Sequence, residues 1–207
     1  MPVANGADRS ESPATSAQAL RVERIIATVI ALAAEGGYEA VQMREVARRA
    51  GIALATLYRY YPAKEALMRG VILSELTSLR ADLQRRPARQ TTPAGRTGEV
   101  FARGFRAMIR NPGLAHAAMS AHQVPMPRPS SSTAQKARPA GQTAHVFADV
   151  AAEVAWGADH PTTAEERRAL QMVQTVWVGS TISWLNGQID AAEVEKRIRL
   201  AAEKLLG

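Results

Sequence analysis

The residues whose types could act together in recognition are concentrated between positions 42 and 64. Arginine, lysine, threonine and tyrosine side chains donate hydrogen bonds to phosphate oxygens, and some also bind base edges. They recur here between small and aliphatic residues, which can contact the methyl group of thymine. We therefore predict that DNA is bound through Gln42, Met43, Arg44, Leu54, Ala55, Thr56, Tyr58, Arg59, Tyr60 and Lys64.

No arrangement typical of an enzyme is present in the sequence. The motifs HExxH and GxSxG are missing, as are a phosphate-binding glycine loop and a cysteine nucleophile. The histidines, which do not have the spacing of metal ligands, are His116, His122, His145 and His160. We therefore expect no catalysis, no metal ion and no cofactor, with His116 and His122 on helix surfaces.

The composition indicates a globular protein with a basic surface. The chain has 207 residues, 46% of them hydrophobic, with a formal net charge of +7 and a sequence pI of about 10.3. Such a charge favours a polyanionic partner such as DNA, although many basic bacterial proteins bind no nucleic acid. The sequence lacks cysteine, a secretory signal and an apolar run long enough to span a bilayer. We expect a cytoplasmic protein that does not contact a membrane.

Two short helices separated by a tight turn must position the polar residues. We predict the first helix over 44–50, with Gln42 as its cap, and the second over 54–60. Ala47 is small where the helices must cross, Gly51 suits a turn with positive φ, and Leu57 is an apolar anchor. This pattern is typical of a DNA-binding helix-turn-helix.

Several side chains around this motif have more than one interpretation. Arg44 could contact a phosphate or a guanine edge, or remain solvated, and Arg59 could reach DNA or pair with an acidic neighbour. Tyr38 and Tyr61 are expected in the core. Lys64, which follows the turn at proline 62, is expected to bind a phosphate.

Helical periodicity continues along the rest of the chain, and no segment requires a strand. We predict an all-α fold with further helices at about 18–35, 63–86, 99–110, 114–123, 143–156, 163–185 and 190–206. Pro62 should stand in the first turn of the second of these helices, and residues 87–98 should form a linker. The predicted units are a disordered tail (1–16), a three-helix DNA-binding domain (17–62), and a ligand-binding and dimerisation domain of roughly six helices (63–207) with a mobile loop at about 124–142.

The segment GGYEAVQMREVARRAGIALATLYRYYPAKEAL resembles the N-terminal domain of TetR-family transcriptional regulators. The match covers about residues 20–70, with the helix-turn-helix, TLYRYY and Pro-x-Lys-Glu in the same order. Within that family, GGYEAVQMREVA, TLYRYYPAK, RNPGLAHAAM and VWVGSTISWL are most similar to KstR-like regulators of sterol catabolism. The resemblance implies a homodimer joined through its last two helices, a palindromic operator, and release by a steroid or fatty-acyl CoA thioester.

The start of the second motif helix departs from the family pattern. Many members have serine and a polar residue where this chain has Ala53 and Leu54. The loss of a serine cap costs about 1 kcal/mol locally. An apolar contact, such as one to a thymine methyl, would replace a polar one, so the operator sequence cannot be transferred from those members.

Arginines on one helix could receive the phosphates of a CoA group. Arg103, Arg106 and Arg110 share a face opposite Phe101 and Phe105. They could form a solvated basic stripe or, together with an arginine at 85 or 86, bind phosphates bidentately. We predict the second role for Arg103 and Arg106.

A second set of residues could line a lipophilic cavity. Trp177 and Trp184 are seven residues apart and share a helix face, where they could pack in the core, at a dimer seam, or against a ligand. Aliphatic and methionine-rich walls suit a sterol-sized ligand. The predicted cavity residues are Met108, Leu114, Met119, Phe147, Met172 and Trp177.

Taken together, the sequence predicts a ligand-responsive repressor that binds a palindromic operator as a dimer. Two alternatives remain open at this point. A regulator of the same fold could sense a drug or another small molecule. An enzyme or carrier acting on acyl-CoA would bind CoA without any preference for an operator.

Overall fold

The computed structural model describes residues 13–123 and 146–207, with side chains for 17–120 and 147–207. Within these ranges every regular element is a helix, which confirms the predicted all-α class. None of the described helices is long and apolar enough to cross a membrane. In chain order they are α1 (Pro13–Ala40), α2 (Met43–Arg49), α3 (Leu54–Tyr60), α4 (Lys64–Arg85), α5 (Pro93–Ile109), α6 (Pro112–Gln123), α7 (Val146–Trp156), α8 (Ala164–Leu185) and α9 (Ala191–Leu206).

Two predicted segments fall mainly outside the described residues. Of the tail at 1–16, only 13–16 are described, and their backbone forms the first turn of α1. The loop predicted at 124–142 is outside the description, as are the side chains of His122 and His145.

Helix α1 is interrupted at its paired glycines. Gly37 has a φ of 64°, which residues with a side chain rarely adopt, and the helix axis is kinked there. The predicted stop after position 35 is therefore confirmed. Before the kink, Ile25, Val29 and Ala33 are fully buried, because residues four apart lie on one helix face.

Helix α5 begins six residues before its predicted start, so the expected linker at 87–98 is half helical. Thr92 caps the helix by accepting a hydrogen bond from the Gly95 amide at 3.0 Å, and Pro93 occupies the first turn, where proline is tolerated. The glycines of this segment favoured a loop in the sequence. A Cβ placed on Gly98 would lie 3.6 Å from Ala202 Cβ, so α5 packs closely on α9 at this glycine.

One smaller expectation about a helix start is wrong, and another is confirmed for the position of the residue alone. Pro62 is not in the first turn of α4, because Ala63 is extended and caps a helix that starts at Lys64. Gln42 occupies the cap position of α2, but its side chain makes no capping hydrogen bond. Both starts depend on backbone geometry and neighbouring contacts rather than on the residue type alone.

The helices enclose two hydrophobic cores that meet in α4 and α6. The N-terminal core contains Leu57 of α3 together with Leu67 and Val71 of α4. The C-terminal core contains the later residues of α4, including Leu76 and Leu79, with α5, α7, α8 and α9. Helix α6 contributes Ala117 to the first core and Ala118 and Met119 to the second. These two helices therefore belong physically to both halves of the molecule.

The start of α6 lies against the backbone of α1. A Cβ on Gly113 would be 2.2 Å from the Ala33 carbonyl oxygen and 2.9 Å from Ala34 Cα. Backbone atoms cannot move aside as a flexible side chain can. Only glycine therefore permits this approach between the two halves.

Candidate nucleic-acid interface and apolar cavity

The predicted helix-turn-helix is formed by α2 and α3. Gly51 has a φ of 63° in the turn, and the Ile52 amide donates to the Ala47 carbonyl at 3.0 Å. Ala47 is buried at the helix crossing, and Leu57 is fully buried beneath α3. The three residues that predicted the motif therefore have the expected geometry. Ala53 caps α3 without any side-chain hydrogen bond, as its apolar type requires.

The predicted DNA-binding residues differ in exposure. Gln42, Arg44, Ala55, Tyr58 and Arg59 are exposed. The others are half-buried, and Met43, Leu54 and Tyr60 pack against the N-terminal core. Ala55, rather than Leu54, is consequently the more exposed apolar residue on α3.

Carboxylates neutralise some basic residues of this domain. Glu45 binds Arg48 at 2.7 Å and Arg49 at 2.6 Å, and Arg49 also pairs with Glu35. The hydrogen bonds from both arginines lower the pKa of Glu45 to about 2. Among the described residues, Arg44 and Arg59 have no carboxylate within ion-pair distance. Two of the arginines predicted to face DNA therefore keep an uncompensated charge.

Lys64 lies over an aromatic ring beside α3. Its Nζ is 3.7 Å from the centroid of Tyr38, a cation–π distance. Burial lowers the pKa of Lys64, while the nearby Glu39 and Glu65 raise it. The Tyr38 hydroxyl donates to Glu65 at 3.2 Å, and its half-buried ring packs on the N-terminal core, as predicted.

Tyr60 has a partner that the sequence analysis did not anticipate. Nη1 of Arg21 on α1 donates to the Tyr60 hydroxyl at 3.3 Å. The Arg59 guanidinium lies 5.9 Å from the centroid of the same ring. Arg21 and Tyr60 are 39 positions apart, so no short-range sequence pattern indicates their contact.

An apolar cavity of about 80 Å³ lies between α4, α5, α6, α7 and α8. It includes four of the predicted cavity residues, Met108, Leu114, Phe147 and Trp177. Met119 is buried in the C-terminal core outside the lining, and Met172 is 56% exposed on α8. The remaining lining residues are Val71, Ile72, Glu75, Leu76, Leu79, Gly104, Ala107, Ala115 and Ala118.

An aromatic cluster forms one wall of this cavity. The Phe147 ring centroid lies 4.7 Å from that of Phe101 and 4.9 Å from that of Trp177. The Trp177 indole N–H donates to the Phe101 carbonyl at 3.0 Å. Gly104 gives the Phe147 ring its space, because a Cβ there would lie 2.4 Å from the ring. Gly104 is a further lining residue that the sequence did not identify.

A polar groove of about 800 Å³ adjoins the cavity and shares Glu75, Leu79 and Ala107 with it. The arginines that line the groove are Arg85, Arg86, Arg89, Arg103, Arg106 and Arg110.

Carboxylates hold two of the groove's arginines. Arg103 pairs with Glu99 and lies 3.7 Å from Asp82, whereas Arg106 binds both Glu195 oxygens at 2.7 Å. In the described parts of the chain, Arg110 has no ion-pair partner. Part of the groove's positive charge is thus already compensated.

The remaining described histidines have ordinary polar neighbours. His116 is exposed and lies 3.5 Å from the Ser120 hydroxyl. His160 stacks on Trp156 and contacts the Glu166 carboxylate at 3.2 Å. Glu166 also closes the capping box of α8 with Thr163. His116 is therefore on a helix surface, as expected.

Sequence profiles of two known families match the chain. The family described as "Bacterial regulatory proteins, tetR family" matches residues 25–71. The family described as "Tetracyclin repressor-like, C-terminal domain" matches residues 91–205. These ranges contain the helix-turn-helix, most of the residues that line the cavity, and the part of the groove that α5 supplies.

Named relatives cover nearly the whole chain. HTH-type transcriptional repressor KstR of Mycolicibacterium smegmatis is 34% identical over 98% of this chain and 96% of the relative. KstR of Mycobacterium tuberculosis is 32% identical over 93% and 84%, respectively. The similarity therefore extends through both domains.

Solved structures have the same architecture. A TetR transcriptional regulator from Rhodococcus sp. RHA1 has a TM-score of 0.78 and 31% identity, covering 92% of this chain and 97% of that one. The transcriptional regulator FadR from Bacillus subtilis, in complex with stearoyl-CoA, has a TM-score of 0.57 and 17% identity, covering 89% and 97%. At 17% identity, the similarity to FadR shows a shared fold alone.

Proposed function

Because this chain belongs to the TetR family of bacterial regulatory proteins, we propose that it is a dimeric repressor released from its operator by a lipid-type CoA thioester. As a member of that family it is a transcriptional regulator and not an enzyme. We place its action in the cytoplasm, where the DNA lies. The effector, the operator and the dimer are the parts of this function that experiments must test.

The DNA contact is assigned to the exposed side of α3. Inserted in the major groove, this helix presents Thr56, Tyr58 and Arg59 to base edges and phosphates. Of the other predicted residues, Leu54, Ala55 and Tyr60 also belong to α3, and Gln42, Met43, Arg44 and Lys64 lie before or after it in the chain. In a dimer the two copies of α3 would read half-sites about 34–36 Å apart.

Exposed apolar side chains support a dimer seam on the last two helices. Met172 on α8 is 56% exposed, and Leu200 on α9 is 51% exposed. A Cβ on Gly179 of α8 would meet nothing within 4 Å, so a second helix can approach closely there. A four-helix bundle formed by two copies of α8 and α9 would cover these residues.

The observation that carries the effector class is the junction between the apolar cavity and the arginine groove. A ligand with an apolar body and a phosphorylated head group matches this division of polarity. The fold is compatible with such a ligand, since FadR holds stearoyl-CoA. The drug-sensor alternative would use the cavity without the groove.

The cavity must enlarge before it can accept an acyl or steroid group. Its volume of about 80 Å³ is far below the roughly 300–1,000 Å³ of ligand sites. Enlargement would move Phe147 or the walls formed by α4 and α6. Both of these helices reach the N-terminal core, so the expanded and compact forms would hold α3 differently. Release follows only if the effector binds these forms with different affinity.

Substitution on α3 tests the assigned DNA-binding surface. We expect Thr56→Ala and Tyr58→Ala each to weaken binding to the DNA upstream of the protein's own gene by about tenfold, through loss of contacts in the groove. Fluorescence anisotropy measures the affinity, and sedimentation should show an unchanged oligomeric state. Thr77→Ala, at an exposed position on α4, is the matched control. Unchanged affinity in both α3 variants would mean that another face binds DNA.

A DNA-release titration with stearoyl-CoA, a steroid CoA thioester, free CoA and stearate tests the effector class. We expect release only by the thioesters. Arg106→Ala should lower the apparent thioester affinity at least several-fold because it removes a phosphate ligand. Glu195→Gln removes the partner of Arg106 but leaves the cation in place, so its response should be kept. If both variants lose the same thioester affinity, Arg106 acts only through its ion pair with Glu195. If neither thioester releases the DNA, the drug-sensor alternative is favoured.

A further inference from the structure

We propose that Arg21 on α1 is a DNA-binding residue that acts with Tyr60 to bind one phosphodiester group of the operator backbone. This inference rests on the proposed DNA-binding function and adds a contact outside the helix-turn-helix. Its chemical target is a phosphate oxygen, so the contact is independent of base sequence.

The hydrogen bond between the two residues leaves the right donors available. The Tyr60 hydroxyl accepts from Nη1 of Arg21 at 3.3 Å, so its own proton can be donated elsewhere. The guanidinium has further N–H groups in its planar fork. A phosphate beside the pair would accept from the Tyr60 hydroxyl and from two of the remaining guanidinium N–H groups, and it is this planar fork that favours arginine over lysine.

The charge around Tyr60 also favours an anion. Arg21 and Arg59 both lie beside its phenol, and within the described residues neither has a carboxylate partner. Arg48 and Arg49 of the same domain, by contrast, are held by Glu45. The positive charge at this end of α3 is therefore not compensated.

The position of Tyr60 explains why two cations are needed. Tyr60 is the last residue of α3, where unpaired carbonyl groups repel a phosphate. Lys64, on the following helix, is partly desolvated over Tyr38 and lies near Glu39 and Glu65. Arg21 and Arg59 can offset the negative helix end more completely than Lys64 alone.

The test uses a random-sequence duplex, since a phosphate contact does not require the operator. The full chain is titrated with a labelled duplex at several salt concentrations, and the slope of log K against log salt is compared. Arg21→Ala should reduce the magnitude of the slope by about 0.9, the value for one phosphate contact. Arg21→Lys should keep the slope and bind several-fold more weakly than wild type, because it keeps the charge but not the fork.

Two further variants distinguish phosphate binding from packing. Arg48→Ala is the matched control, because Glu45 already neutralises that arginine, and its slope should remain unchanged. In a Tyr60→Phe background, Arg21→Ala should cause a smaller loss of affinity than in wild type. If the wild-type protein binds the duplex and Arg21→Ala has the same salt slope, this inference is wrong and the proposed function stands. Failure of the wild-type protein to bind any duplex overturns the proposed function as well.

Discussion

Replacing Trp177 with alanine will lower the free energy of unfolding by about 3–5 kcal/mol, the usual cost of truncating a buried aromatic residue. Only 6% of Trp177 is exposed, and its ring packs on Phe147 within the C-terminal core. The variant also removes the indole donor that binds the Phe101 carbonyl. Chemical denaturation followed by circular dichroism measures the loss.

A second substitution separates ring packing from the hydrogen bond. Trp177→Phe keeps an aromatic ring but removes the N–H donor, so we expect a smaller loss than for alanine. A loss below about 1 kcal/mol in Trp177→Ala would contradict the burial of this residue, since that cost is typical of surface positions. Trp177 belongs to the C-terminal core and not to the N-terminal core. With rising denaturant, the Trp177→Ala variant should therefore unfold in the C-terminal domain before the N-terminal domain.

Replacing Gly113 with alanine will separate α6 from α1. The added Cβ would lie 2.2 Å from the Ala33 carbonyl oxygen, and backbone on both sides must shift to accommodate it. We expect a destabilisation at the upper end of the about 1–3 kcal/mol that overpacking usually costs. Gly98→Ala is the matched control, because its Cβ would make an ordinary 3.6 Å contact with Ala202 and alanine favours helix by about 0.5–1 kcal/mol.

The same Gly113 variant should weaken the coupling between the ligand and DNA sites. Helix α6 lines the cavity through Leu114 and Ala118 and reaches the N-terminal core through Ala117. If the contact at Gly113 transmits the ligand-induced shift, stearoyl-CoA will still bind but will change DNA affinity less than in wild type. Measuring DNA affinity with and without stearoyl-CoA gives the coupling directly. If the ratio of these two DNA affinities is the same in the variant as in the wild type, α4 alone links the two sites.

Local features of the molecule could be predicted well from residue types. Gly51 lies in a turn with positive φ and Leu57 lies beneath α3, both as the sequence predicts, and the side chains of Thr163 and Asp190 cap α8 and α9. Each of these depends on backbone preferences, helix periodicity or hydrogen bonds between residues three or four apart. Such interactions are encoded within a single short segment, and so is the family resemblance of the helix-turn-helix.

The start of α5 illustrates where local preference was misleading. Glycines at 95 and 98 and the prolines before them favoured a linker, but α5 includes both glycines and contacts α9 at Gly98. The Thr92-Pro93 pair was a local signal for the correct start. Packing between helices far apart in sequence decided the outcome, because it outweighs helix propensities of about 1 kcal/mol or less.

By itself the sequence determined the all-α class, the helix-turn-helix and the family, because periodicity, turns and caps are short-range properties. Only the tertiary structure decided which polar and apolar side chains meet. It joined Arg106 to Glu195 and Arg21 to Tyr60, and it left Met172 exposed while burying Trp177. A helix face that packs on a core and one that lines a cavity have the same periodicity. Their roles differ only through the helices that lie opposite them, and those come from distant parts of the chain.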